Sequence, residues 1–271
     1  MAIRSVYTDL DGTLLGRGGA LLKDADGDFS LLGVRALEAC ARVGAEVVPI
    51  SGRRRRTVAE IARLLGQTSF AYEVGCAIVV DGEETLLTGN LQPREGKTVY
   101  EQIAESGAPR LLLDRYAGRL EYHTPWHDER EFTHLMRGLV DAAEADTLLT
   151  GHGHGALRLV DNGAIAPKPS LPDLDGPPHA YHLMPRTASK AAAVDAHMRA
   201  RGYAPEECIA VGDSREDAGV AEVVGRFFLV ANGAEKDPAL AAQPNVHVTE
   251  ERNGEGFYEA VVRSLAEARG A

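Results

Sequence analysis

The sequence predicts an α/β fold, a parallel sheet flanked by helices and interrupted by an α+β insert, and three observations carry that reading. Strand and helix periods alternate over the first eighty residues and again after about residue 181, as βαβ units require. The middle reads as short paired strands with helices between them. Asp9-Leu10-Asp11-Gly12-Thr13 leaves the carboxyl end of the first strand, the edge of an open α/β sheet where ligands bind.

The elements follow in order. Ile3, Val6 and Tyr7 make residues 3–8 a buried strand, and a glycine-rich loop leads to a helix over 31–43. A strand over 46–50, a helix over 57–65 and short strands over 70–72 and 77–80 complete the first part. In the insert, 86–87 reads as a strand, 98–105 as a helix, and 111–115 with 119–123 as a hairpin turning at Tyr116-Ala117-Gly118. A helix over 129–143 and strands over 147–150 and 157–160 follow. Pro167, Pro169, Pro172, Pro177 and Pro178 with Gly176 mark a linker. The alternation then resumes with a strand over 182–184, a helix over 189–201, strands over 208–212, 227–230 and 246–249, and a closing helix over 256–268. The expected division is 1–81 for the first part of the core, 82–180 for the insert and 181–271 for the rest of the core.

Composition narrows the function. At 271 residues, with 44% hydrophobic and 25% charged residues, the chain has the make-up of a soluble globular protein. A net charge of −11 argues against a nucleic-acid partner. Cys40, Cys76 and Cys208 are scattered and lack metal-ligand spacing, so they read as buried thiols of a cytoplasmic protein. No apolar stretch reaches membrane-spanning length, and the first strand begins too early to leave room for a signal peptide.

Four places in the sequence carry chemistry. Asp9 and Asp11, two residues apart at a strand end, repel each other unless a cation lies between them. Ser51-Gly52-Arg53 ends the second strand where a helix begins, and offers a hydroxyl and free N–H groups to an anion. Lys190 opens a helix after the linker, where an ammonium can join a phosphate to a carboxylate. Gly212-Asp213-Ser214-Arg215-Glu216-Asp217 closes an apolar strand, so Asp213 enters the same crevice as Asp9, with Asp217 one turn on.

In their order and spacing, Asp-Leu-Asp-Gly-Thr, Ser-Gly-Arg, the lone Lys190 and Gly-Asp-Ser-x-x-Asp resemble the haloacid-dehalogenase-superfamily phosphatases. The insert's length and place resemble the C2-type caps of the Cof-like and sucrose-phosphate-phosphatase-like group. Glu73-Val74-Gly75, Ala231-Asn232-Gly233-Ala234, and Val248-Thr249 with Asn253-Gly254-Glu255-Gly256 are similar to further signatures of that group. Glu216 and Val74 depart from it, each standing where the group has Asn.

The resemblance implies a Rossmann-like core, a C2-type cap and a Mg²⁺-dependent phosphomonoesterase. Asp9 becomes the nucleophile, forming an aspartyl-phosphate, and Asp11 the acid and then the base. Mg²⁺ is held by the Asp9 carboxylate, the Asp11 backbone carbonyl and Asp213. Gly12, Ser51, Gly52, Arg53 and Lys190 bind the phosphate, and Asp217 supports Lys190 or the ion's water. A carboxylate attacking a phosphate needs such cations to offset the like-charge repulsion.

The expected substrate is a small soluble phosphate ester of sugar-phosphate type. Sucrose phosphate, mannosyl-3-phosphoglycerate and phosphoglycolate enter from the relatives. A phosphomannomutase-like sugar phosphomutase and a phospho-ligand-binding protein without turnover are the other readings. Asp24, Asp26 and Asp28 resemble a calcium loop but lack its Gly and Glu. Gly16–Ser30 is long enough for a flap, Gly151-His152-Gly153-His154-Gly155 reads as a cap loop, and Trp126 as a cap aromatic.

Overall fold

The structure, a computed structural model, describes residues 2–166, 170–171 and 174–270. Of the linker prolines, Pro167, Pro169 and Pro172 lie outside the described residues. The chain forms two compact units, Met1–Thr85 with Lys190–Ala271, and Leu86–Ser189.

The first unit begins with β1 (Ser5–Thr8), α1 (Leu32–Val43), β2 (Glu46–Pro49), α2 (Arg55–Leu64), β3 (Phe70–Tyr72), β4 (Ala77–Val80) and β5 (Glu83–Leu86). The second holds α3 (Val99–Ser106), α4 (Ala108–Arg115), β6 (Leu120–Tyr122), β7 (His134–Gly138), α5 (Ala142–Gly151), β8 (Leu157–Ala164) and β9 (His179–Pro185). The chain then returns to the first unit with α6 (Lys190–Arg201), β10 (Cys208–Gly212), α7 (Arg215–Ala218), β11 (Arg226–Leu229), α8 (Ala231–Lys236), β12 (Val246–Val248) and α9 (Asn253–Gly270).

The central sheet has the order β12-β11-β10-β1-β2 and is parallel at every pairing. Its strands β1 and β10 are buried along their whole length, which is why apolar side chains fill both faces at their centres, Val6 and Tyr7 in one and Ile209, Ala210 and Val211 in the other. Successive side chains point to opposite faces. Val6 packs with Val47, Ile209, Val211 and Phe228 beneath Ala36 and Cys40 of α1 and Phe257 and Val261 of α9. Tyr7 and Asp9 point the other way, to α6, where they meet His197 and Lys190. A second sheet, β3-β4-β5, stands beside β2, joined to it by the Ile50–Ala71 bridge.

The second unit is an antiparallel sheet of order β6-β7-β9-β8, with α3, α4 and α5. Here the structure corrects the sequence reading in four places. Residues 111–115 are not a strand but part of helix α4, whose buried Ala108 and Leu112 are four apart, with Tyr116 four further on. No hairpin turns at 116–118 for that reason. Residues 147–150 are helical too, in α5, where Asp141 caps the amides of Ala143 and Glu144 and buries Ala145 and Leu149. The span 129–143, read as a helix, contains strand β7, buried at all five positions. The strand over 182–184 does form, but as part of β9, antiparallel between β7 and β8. It therefore belongs to the insert, and the return to the core falls at Lys190 rather than at residue 181.

Candidate active site

The C-terminal ends of β1 and β10 lie side by side, so Asp9 and Asp213 leave neighbouring strands at one sheet edge. Lys190, the first residue of α6, is 2% exposed, and its Nζ donates to Asp9 Oδ1 and Asp217 Oδ1, each at 2.6 Å. Asp217 is held for this by its other oxygen. Oδ2 accepts from the Ser214 hydroxyl at 2.6 Å, the Ser214 amide at 3.0 Å and the Asp213 amide at 3.2 Å. Ser214 in turn caps α7, which closes a reciprocal capping box with Asp217.

Oxygens of Asp9, Asp213 and Asp217 lie within 4.8 Å of one another. Asp213 Oδ2 accepts from Lys236 at 2.7 Å, and Asn232 joins it to the Gly12 carbonyl, donating to that carbonyl at 2.8 Å. Burial first, and then the Asp217 and Asp213 charges, hold the Asp9 carboxyl well above the usual carboxylate range despite Lys190. Burial raises Asp213 as well, with Lys236 opposing and Asp217 adding. Burial alone disfavours the Lys190 ammonium, but Asp217 and Asp9 outweigh it and raise its pKa above that of a free lysine. Buried, crowded carboxylate oxygens are hard donors whose charge resists being held bare, so the set fits a hard divalent cation.

Gly12 has a reason of its own to be glycine. Its φ is +91°, and a Cβ there would meet Asp213 Oδ2 at 2.4 Å. The backbone can pass Asp213 this closely only without a side chain.

Ser51 and Arg53 stand differently from the sequence reading. Helix α2 begins at Arg55, so Ser51 is not its N-cap. The buried Ser51 hydroxyl instead accepts from the Arg53 amide at 3.2 Å, a local turn that shapes the Ser51-Gly52-Arg53 loop. The loop is backed by the Glu73-Val74-Gly75 turn, where the Val74 amide donates to the Ser51 carbonyl at 3.0 Å and the Glu73 amide to that of Arg53 at 3.0 Å. Glu73, Val74 and Gly75 all have positive φ, and Val74 at φ 60°, ψ 31° is left-handed, a conformation in which Asn is far less strained than a β-branched residue. Arg53 grips Asp11, with Nε reaching Oδ2 at 2.6 Å and Nη2 reaching Oδ1. The Gly16–Ser30 loop is tied by the Gly16–Ala20 and Lys23–Phe29 bridges and by Asp24, which accepts the amides of Asp26, Gly27 and Asp28.

Two participants went without a role in the sequence reading, and a third, Glu216, was noted there as a departure. Asn232 lay within a quoted signature but without a role. Lys236 follows it by four residues on α8, a spacing that puts both on one helix face. Glu216, the departure noted in the motif, accepts the Lys190 amide at 3.3 Å, a carboxylate at the N-terminus of α6. In the insert, α5 runs to Gly151, so the 151–155 segment read as a cap loop begins at a helix end, and Trp126 is 56% exposed.

Comparison with known proteins follows the same lines. Residues 174–261, which include Lys190, Asp213 and Asp217, match the family model of haloacid dehalogenase-like hydrolases. The chain is 28% identical over 261 residues to a phosphoglycolate phosphatase of Archaeoglobus fulgidus, covering 95% of each chain. It is 24% identical over 262 residues to a phosphoglycolate phosphatase of Methanoculleus marisnigri, covering 96% of this chain and 95% of that one. Among solved structures, Thermoplasma acidophilum 0175 superposes with a TM-score of 0.67 at 17% identity, covering 97% and 99% of the two chains. The sucrose-phosphatase of Synechocystis sp. PCC6803, solved with sucrose and phosphate, superposes with a TM-score of 0.64 at 14% identity, covering 97% and 98%. These two likenesses establish the fold. No helix among the described residues is long and apolar enough to cross a membrane.

Proposed function

We propose, from the match of residues 174–261 to the haloacid dehalogenase-like hydrolases and from the phosphatases matched along the chain, that the protein is such a hydrolase and cleaves small phosphate esters through a phosphorylated Asp9 with Mg²⁺ as cofactor. In this reading it stands with the Cof-like and sucrose-phosphatase-like hydrolases of phosphoric monoesters, supported by the match of residues 174–261 and by the shared fold of a core with an insert. The observation that carries the residue roles is the buried Lys190 ammonium bridging Asp9 and Asp217 beside Asp213.

In this reading the Asp9 carboxylate attacks phosphorus and the ester oxygen leaves with a proton from Asp11. A water then gives its proton to Asp11 and attacks the phosphorylated Asp9, releasing inorganic phosphate and restoring both carboxyls. Lys190 offsets the charge of the approaching phosphate, and Asp217 holds Lys190 in place. The Ser51 hydroxyl and the Arg53 guanidinium, beside Gly12 and Gly52, would donate to the remaining phosphate oxygens, while the amides of Gly12, Ser51 and Arg53 are spent on the loops' own turns. The Asp9 carboxylate, the Asp11 carbonyl and Asp213 would hold Mg²⁺, which supplies the positive charge that lets two anions meet.

The first substrate to test is 2-phosphoglycolate, because relatives matched over nearly their whole length carry that name. The sugar phosphates expected from the sequence belong in the same panel. Phosphate release is measured for each ester with Mg²⁺ and with excess chelator. Mg²⁺-dependent release from at least one ester is expected, abolished by Asp9→Asn. Isomerised sugar without free phosphate would make the protein a mutase, and binding without turnover would make it a phospho-ligand carrier.

A further inference from the structure

Helix α6 carries Lys190 at its first turn, and its buried stripe is Lys190, Ala193, Val194, His197 and Met198. Five of the twelve residues of that helix are alanine (Ala191, Ala192, Ala193, Ala196 and Ala200), small side chains that give apolar packing little purchase on axial position. The polar members of the stripe do have such purchase. His197, fully buried, puts Nδ1 2.9 Å from the Tyr7 hydroxyl and Nε2 3.3 Å from Glu46 Oε2. Glu46 is itself fixed, accepting from Ser69 at 2.5 Å and from both Nε and Nη2 of Arg201 on the same helix. Tyr7 in β1 and Asp9 just past its end are alternate residues that both face α6, while His197 is two turns along α6 from Lys190. One strand therefore holds one helix at two points, Tyr7 to His197 and Asp9 to Lys190.

Burying a histidine, a phenol and a carboxylate together costs desolvation that apolar packing would avoid. The polar partners of the three are each other, Ser69 and Arg201 rather than the phosphate-binding loop or the acidic cluster, although Tyr7 lines the same small cavity as Asp9, Lys190 and Asp217. We infer that Tyr7, His197 and Glu46 are positioning residues for the phosphoryl transfer: they set the axial register of α6 and thereby the place of Lys190 Nζ between Asp9 and Asp217. A displacement of about 1 Å at such a group is enough to slow turnover severely. The inference rests on the phosphatase reading above.

The test is a double-mutant cycle in the full chain, with p-nitrophenyl phosphate and Mg²⁺ for turnover and inorganic phosphate for binding by calorimetry. Tyr7→Phe and His197→Phe are each made with Lys190 present and with Lys190→Ala. With Lys190 present, each is expected to lower kcat about tenfold while the circular dichroism spectrum is kept. In the Lys190→Ala background each should change residual turnover, or phosphate affinity where turnover is too slow to read, by less than about twofold. The loss of melting temperature should be the same in both backgrounds. Equal activity losses in both, or full activity in folded His197→Phe, would overturn the inference. Should His197→Phe fail to fold, Tyr7→Phe, which removes a single oxygen, decides alone. Full activity in Lys190→Ala would instead sink the phosphatase reading itself.

Discussion

Arg53 closes on both carboxylate oxygens of Asp11, its Nε 2.6 Å from Oδ2, so the proposed acid and a proposed phosphate ligand are partners of each other. Their side chains remain 30% and 53% exposed, where an ion pair adds little stability. The pair is instead an arrangement that substrate must re-form, with the phosphate competing for the guanidinium. Lys at this position cannot reproduce the two-pronged grip. Arg53→Lys should leave the melting midpoint within about 1 kcal/mol of the parent and lower kcat/KM about tenfold. An unchanged kcat/KM would remove Arg53 from the site.

Asp9→Asn should lower turnover by about a thousandfold or more and leave the fold intact. The amide oxygen can still accept from Lys190, and a like charge leaves a crowded carboxylate cluster. Substantial hydrolysis by a preparation shown to be free of contaminating phosphatase would count against covalent catalysis at Asp9.

Divalent ions should raise the melting temperature of the wild-type protein, because an ion bound only by the folded chain stabilises it by mass action. Asp213→Asn should abolish that rise. Gly12→Ala should also abolish it, since its Cβ would lie 2.4 Å from Asp213 Oδ2, and should add about 1–2 kcal/mol of destabilisation from the positive φ. Scanning fluorimetry across a Mg²⁺ titration reads both effects. A Mg²⁺ response retained in Asp213→Asn would move the metal elsewhere.

Acid should weaken the two units in different pH windows. In the insert, burial pushes His134 down to about 4 from 6.5, so the unfolded chain takes up a proton first and stability falls as pH drops from 6.5 toward 4. In the core, Glu46 lies at about 2 rather than 4.5. Burial opposes this shift, but hydrogen bonds from His197, Arg201 and Ser69 overcome it. Its contribution, about 3 kcal/mol at most, is complete above pH 4.5 and is lost as pH falls through that value toward 2. Urea midpoints for Glu46→Gln should be lower than the parent's at pH 7 and converge with them near pH 2. His134→Gln should remove the loss between pH 6.5 and 4. Parallel pH profiles for parent and variant would refute either assignment.

The strands of the parallel core were readable because a strand covered on both faces carries apolar side chains at its centre, as Val6-Tyr7 and Ile209-Ala210-Val211 do. Its candidate site residues were readable because each stands within a short motif at a strand or helix end. The insert was not. Leu111-Leu112-Leu113 fits a strand as well as a helix, and only its neighbours, Ala108 and Tyr116 packed at helical spacing, choose the helix. The strand at 182–184 was visible, while its sheet was not, since apolar content does not name a partner.

What this chain's sequence determined by itself was an α/β core, its motifs and the carboxylates, hydroxyl and lysine they supply, because those depend on local periodicity and chemical type. Pairing belonged to the tertiary structure alone: Arg53 with Asp11, Glu216 with the amide of Lys190, Lys236 with Asp213, and Tyr7 with His197. Such contacts join segments far apart in the chain, and their energies depend on burial and distance, quantities that come into being only when the chain closes on itself.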